Sequence, residues 1–350
     1  MTTETLRLVT PETPWRVRSK SQLVYIFIAS TLPAALTFLI ADQMKLAGLI
    51  ALTIVFLPLQ LLAASLAALI TVGKRGILDA ILTVSVLFLM LTMGFLLGSV
   101  ALSLVQKGFK ALSFHAIYQN SFYVTSVTSL EYGGLGHALV GTLVIVGIAV
   151  IFAVPIGIAV GVFLTETQSR MRGSVRFLSQ AMTGLPSIVS GLFVFAFLYL
   201  TGWVQRSAIL GSVALFLLML PTIIRLSEEV LKLVPQELRY AALALGAPRH
   251  KAFFQVIFPA ARSGIITTCL LGTARVIGET APLIVLVTYL PSTNFNPLSG
   301  DMASMPTYIY SWLKFSTDLA NQRAWGGALA LMILVGVLFT LARFFGRKRF

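Results

Sequence analysis

Eight stretches of about 19 residues or more are almost purely apolar. Seven carry no charged side chain, and the eighth holds one arginine and one glutamate. A helix of that length crosses a hydrocarbon layer about 30 Å thick, and lipid offers no water to satisfy loose backbone groups, so each stretch is read as a membrane-spanning helix. They lie near residues 22–41, 46–72, 80–105, 137–164, 177–201, 207–224, 263–290 and 324–342. Only 11% of the chain is charged, against roughly a quarter in soluble domains, and the mean hydropathy is +0.91. The fold class is therefore an all-α integral membrane protein with about eight spans. Soluble globular classes are excluded.

A net charge of +14 would suggest nucleic acid in a soluble protein. Here its placement follows the positive-inside rule. With the N-terminus (Arg7, Arg16, Arg18, Lys20) cytoplasmic, the inside loops also hold Lys74, Arg75, Arg170, Arg172, Arg176, the six basic residues from Arg225 to Arg262, and the tail Arg343, Arg347, Lys348 and Arg349. The outside loops hold Lys45, Lys107, Lys110, Arg206, Lys314 and Arg323, so 19 basic residues lie inside and six outside, with Arg275 within a span. Eight spans with both termini cytoplasmic fit this count. The basic surplus serves topology and contact with anionic membrane lipids, and no nucleic-acid partner is expected.

The first two spans form a hairpin joined by DQMK. With the polar N-terminus they make up residues 1–76, closed by the basic linker GKRG. The first span is longer than a signal-peptide core and is read as a retained helix. No intramembrane charge marks this hairpin, so it is expected to pack or assemble. Cys269 sits mid-span as a small hydrophobe. His115, His137 and His250 have no neighbours at metal-ligand spacing, so neither metal nor cofactor is expected. No nucleophile with a His partner and no paired carboxylates occur at reaching spacing, which argues against an enzyme. GGLGHALVGTL opens the fourth span, and TGLPSIVSGLF, residues 183–193, breaks the fifth with Gly and Pro, marking helices that face a pathway.

The loop at about 228–262 is the longest on the inside and is written as structure. Pro235 opens a helix through QELRYAALAL that Gly246 stops, and Pro248 opens a second, RHKAFFQVIF, expected to end near Pro259. Leu238, Ala241, Ala242 and Leu245 share one face of the first helix, with small residues that let a partner approach closely. In the seventh span Arg275 and Glu279 stand four residues apart. Burying either alone costs about 2.5–3.5 kcal/mol, and at this spacing they can neutralise each other, although base before acid is the weaker helical order.

The 228–262 loop resembles the cytoplasmic signature of ABC importer permeases: Ala-Ala, three residues, Gly, nine residues, then aliphatic-x-aliphatic-Pro. Ala241, Ala242, Gly246, Val256, Phe258 and Pro259 stand at that spacing, and Tyr240 replaces the Glu of the pattern. Together with GGLGHALVGTL, TGLPSIVSGLF, LPTIIRLSEEVLKLVP, LALGAPR, ARVIGETAPL and MPTYIY, it makes residues from about 80 to 345 similar to phosphate-import permeases of the PstA type. The resemblance implies a six-helix type I permease core in residues 77–350, behind the extra hairpin. It implies ATPase coupling through Ala241, Ala242, Gly246 and Pro259. It also implies three partners: a second permease subunit of the PstC type, a dimer of PstB-type ATP-binding subunits and a PstS-type extracytoplasmic binding protein, all at the bacterial inner membrane. No G-x-x-x-x-G-K-[ST] occurs, so the chain has no nucleotide loop of its own.

The substrate-translocation set is then Arg275, Glu279, Arg225 and Thr280. Arg275 and Glu279 are expected to pair when the pathway is closed. On opening, phosphate oxygens take the guanidinium and a phosphate hydroxyl donates to Glu279, which fully ionised sulfate cannot do. Arg225, beside Pro221, would receive the anion next. The alternative is a secondary transporter or a permease for another oxyanion using the Arg275/Glu279 pair; a secondary transporter with Glu279 as proton relay would favour paired internal repeats, and no convincing second copy is found.

Overall fold

The computed structural model describes residues 20–45 and 47–346. Arg7, Arg16, Arg18, Arg347, Lys348 and Arg349, on which the topology reading partly rests, lie outside the described residues. The described residues form helices and connections, with no strand among them, and the chain divides into two compact units at Val100/Ala101.

In the first unit, α1 (Lys20–Met44) and α2 (Ala51–Thr71) form the expected hairpin, turning at Lys45 with φ 48°. Gln60 Nε2 donates to the Ala29 carbonyl at 3.1 Å, and the small residues Ala29, Ala51 and Ala67 are buried. A polar donor inside lipid needs an acceptor, and this one finds it across the hairpin. α3 (Lys74–Gly108) begins in this unit and ends in the second.

The second unit contains α4 (Gly136–Glu166), α5 (Arg172–Thr183), α6 (Ser187–Tyr199), α7 (Ala208–Lys232), α8 (Gln236–Ala244), α9 (Arg249–Ile277), α10 (Ala281–Leu286), α11 (Met305–Leu313) and α12 (Asp318–Gly346). Among the described residues seven helices are long and apolar enough to cross a membrane, and α5 with α6 counts as an eighth, broken span. The core lies where α4 packs along α7. Gly157 and Gly161 let the backbones close: a Cβ at Gly157 would stand 2.5 Å from Ile223 Cγ2, and one at Gly161 2.7 Å from Ser227 Cβ. Without a hydrophobic force between helices in lipid, such small-residue contacts hold the pair together. Ile145, Leu215, Met219 and Ile223 fill the seam, which α9 joins through Val276 and Ile277.

The Gly/Pro break expected in the fifth window is formed: Pro186 lacks an N–H and biases Leu185 out of the helical region, and the chain bends by 104° between α5 and α6. Two other expectations are corrected here. Pro259 does not end a helix. The preceding turn, Phe253–Ile257, is wound as a π-turn with i→i+5 bonds, so a residue without an N–H fits at the start of the next α-segment and α9 continues to Ile277. The seventh window, 263–290, is interrupted at Gly278–Thr280 before α10.

The connections opposite the basic face are ordered. Arg323, 4% exposed, donates through Nη2 to the carbonyls of Thr128 (3.1 Å), Ser129 (2.7 Å) and Tyr132 (3.0 Å) and lies over the Trp312 ring. Ser121 N donates to Pro291 O at 2.9 Å, and Thr142 Oγ1 accepts from Met305 N at 2.7 Å. α11, which the MPTYIY stretch forms, is capped by Ser304 and buries Tyr308 and Trp312. Burial pushes the Tyr308 hydroxyl up to about 12, so it stays neutral.

Candidate functional site

Arg275 stands in the last turn of α9, two residues before the helix ends at Ile277. Its Nη1 lies 3.4 Å from Thr222 Oγ1 on α7. Thr222 is about 21 Å along α7 from Ala208 at 1.5 Å per residue and one turn before Arg225, so the guanidinium sits within the apolar stretch of α7, toward its inner end. Arg275 is nevertheless exposed on the chain's surface, as is Leu271 one turn earlier. A guanidinium facing acyl chains at that depth costs about 2.5–3.5 kcal/mol or more, so this face is built for a second protein surface or for water.

The break beside it carries the other polar groups. Gly278 is exposed, and Glu279 and Thr280 are half-buried. Glu279 N donates to Val276 O at 3.1 Å, and Thr280 Oγ1 reaches Gly278 O at 3.4 Å. Irregular backbone at membrane depth persists only where protein or an aqueous cavity satisfies it, the condition a pathway meets. Gly191 of α6 holds the far side of the break: a Cβ there would stand 2.7 Å from Pro282 Cα.

The expected pairing of Arg275 with Glu279 is not formed. Among the described residues no ion pair joins them, because α9 stops between them and the one-turn spacing that would bring them face to face no longer exists. Arg275 turns to Thr222 instead, a partner that sequence spacing could not indicate. Arg225 lies one turn further along α7 from Pro221 and is paired at 3.0 Å with Glu229.

On the basic face, α8 and the start of α9 meet at the expected corner. Gly246 has φ +79°, with Gly246 N bonded to Leu243 O at 3.0 Å and Ala247 N to Ala242 O at 3.1 Å. This is the left-handed helix stop that glycine favours. The shared face is corrected at one position. Leu238, Ala241 and Leu245 are exposed, but Ala242 is buried against the chain itself. Val256, Phe258 and Pro259 are half-buried. Arg239 anchors the corner, paired with Glu166 at the end of α4 and donating to Leu231 O at 2.7 Å. The fixed charge thus stands one residue before Tyr240. Glu228 adds a second anchor, bonded to Arg176 of α5 at 2.5 Å and Lys232 at 2.6 Å.

A broken helix with an arginine inside the apolar layer and a charged helical corner on the basic face are features of a membrane permease. The chain belongs to the family of binding-protein-dependent transport system inner membrane components, whose family model matches residues 153–349. Within that family its similarity is to PstA-type members. It is 45% identical over 207 residues to the phosphate transport system permease protein PstA 1 of Mycobacterium tuberculosis, covering 59% of this chain and 68% of that protein. It is 43% identical over 246 residues to PstA of Mycobacterium leprae, with coverages of 69% and 81%. With PstA of Pasteurella multocida it shares 34% over 267 residues, covering 73% and 93%. Among solved structures, an inward-facing MetNI methionine ABC transporter matches with a TM-score of 0.51 at 19% identity, covering 61% of this chain and 96% of that one, a likeness of fold.

Proposed function

We propose that this chain is a permease subunit of an ATP-driven importer that carries inorganic phosphate across the bacterial cytoplasmic membrane, its ATP hydrolysed by a separate subunit. The observation that carries the reading is Arg275, an exposed guanidinium within the apolar layer beside a helix break. Its planar fork suits a phosphate on its way across, in bidentate fashion. Glu279 is half-buried and free of Arg275, so its carboxylate accepts a hydrogen bond from a phosphate hydroxyl and disfavours sulfate, which has none. Thr280 supplies a further hydroxyl, and Arg225 exchanges Glu229 for the anion at the inner end.

The exposed Arg275 face is covered by a second permease subunit of the PstC type. The α8–α9 corner, with Ala241, Gly246 and the helix through Pro259, receives a PstB-type ATPase dimer, and the ordered face around Arg323 receives a PstS-type binding protein. Residues 1–76 form an added hairpin and 77–350 the transport domain, with both termini cytoplasmic. Uptake of radiolabelled phosphate by a strain lacking its own copy of this subunit tests the site. Arg275→Gln abolishes uptake while the protein still inserts, Arg275→Lys restores it poorly, and Glu279→Gln lowers discrimination against sulfate. Wild-type uptake by the Arg275→Gln, Glu279→Gln double variant would refute the assignment.

A further inference from the structure

One large cavity on the basic face is not part of the translocation set. It is a groove of about 800 Å³ between the inner half of α4, α8 and the start of α9, and none of Arg225, Arg275, Glu279 or Thr280 lines it. Its two ends differ in chemistry. The deep wall is apolar: Pro155, Ile158 and Val162 from α4 face Phe253, Phe254 and Phe258 from α9. From Pro155 to Glu166, at 1.5 Å per residue, this wall runs about 16 Å toward mid-membrane. The mouth is cationic, with Arg172, Arg239, Arg249 and His250 against one carboxylate, Glu166, which Arg239 already engages.

Two further observations at the mouth point to a missing acceptor. The Nε–H groups of Arg172 and Arg239 are both buried without a hydrogen-bond partner, although both residues line this groove. A buried donor left unmade is costly, and the mouth carries a surplus of cationic donors over its one, already engaged, carboxylate that an oxygen-rich anion would balance. Arg249 is exposed and free of any acid among the described residues. A soluble anion would account for the mouth but not for an aromatic channel leading into the bilayer.

We propose that this groove is a binding site for an anionic phospholipid of the leaflet on the basic face. Its phosphate sits among the Arg172, Arg239 and Arg249 guanidinium groups at the mouth, and one acyl chain lies along Ile158, Val162 and Phe254. The site ties a lipid to the α8–α9 corner itself, so membrane charge acts on the part of the chain that meets its engine.

The test uses the complete importer, purified and reconstituted in nanodiscs doped with phosphatidylglycerol or phosphatidylcholine bearing a photoreactive acyl chain. Cross-linked residues are mapped by mass spectrometry. The expected result is labelling on Ile158, Val162 or Phe254 at least fivefold stronger with phosphatidylglycerol. Arg249→Gln, at an exposed position with no partner to lose, should bring that excess down severalfold, and adding Arg172→Gln should abolish it. Equal labelling by the two lipids would reduce the groove to ordinary lipid contact. Labelling present in the permease pair alone but lost when the ATPase is added would assign the groove to that protein. Either result overturns the proposal.

Discussion

The Gly246 corner offers a prediction whose size follows from geometry. Glycine there sits at φ +79°, and a Cβ would meet no atom within 4 Å, so any substitution is charged for its backbone angle alone. For an ordinary L-residue that angle costs about 1–2 kcal/mol, which shifts the corner away from its native shape by roughly five- to thirtyfold. Asparagine tolerates the left-handed region and loses least, alanine is intermediate, and β-branched valine loses most. The assay is phosphate taken up per ATP hydrolysed by the reconstituted importer. Hydrolysis should persist while uptake per ATP falls in the order Gly246, Gly246→Asn, Gly246→Ala, Gly246→Val. An identical ratio for all four would show that the corner transmits nothing. A Gly246→Asn variant as damaged as Gly246→Val would show that side-chain volume against a partner, and not the backbone angle, is what matters.

Gly161→Val drives a side chain into Ser227 Cβ, 2.7 Å from where its own Cβ must sit, and should destabilise the α4–α7 pair by about 1–3 kcal/mol, read as a lower melting temperature in detergent. Arg323→Met leaves three part-buried carbonyls without their donor and should cost about 1–3 kcal/mol, with protease cleavage appearing near residues 126–132. In a background with Cys269→Ala, Tyr123→Cys and Phe295→Cys should react with a membrane-impermeant reagent applied outside, and Leu245→Cys should not. All three positions are exposed, so outside labelling at 245 would reverse the proposed orientation.

The helical class was legible from the charge-free windows because lipid admits few ways to cross it. Pro186 marked the α5/α6 break together with Gly184 two residues before it, whereas Pro33, Pro155 and Pro221, without such a glycine, lie inside unbroken helices. The second break was missed at Gly278–Thr280 because VIGETAPLIVL is apolar on both sides, although Pro282 just inside a new helix start was a usable signal. Pro259 misled in the opposite sense: a π-turn takes up its missing donor, and nothing local distinguishes that from a stop. The Gly157-x-x-x-Gly161 spacing could have placed the α4–α7 contact and was not used. At the site, Arg275 and Glu279 were found as the charges of one span, but their pairing was inferred from an unbroken helix. Arg323 was beyond reach of the sequence, since its carbonyl partners lie more than 190 residues away.

The unbroken passage of α9 through Pro259 has a mechanical consequence. One continuous helix leads from Arg249 at the corner to Arg275, about 39 Å away at 1.5 Å per residue, and it is regular from Phe258 onward, after the π-turn at Phe253–Ile257. If the inner end is the pivot, tilting that helix by about 5° swings its far end through roughly 3 Å over this length. That is comparable with the 3.4 Å between Arg275 Nη1 and Thr222 Oγ1. A small rocking at one surface is thus enough to uncouple the arginine from its threonine inside the apolar layer.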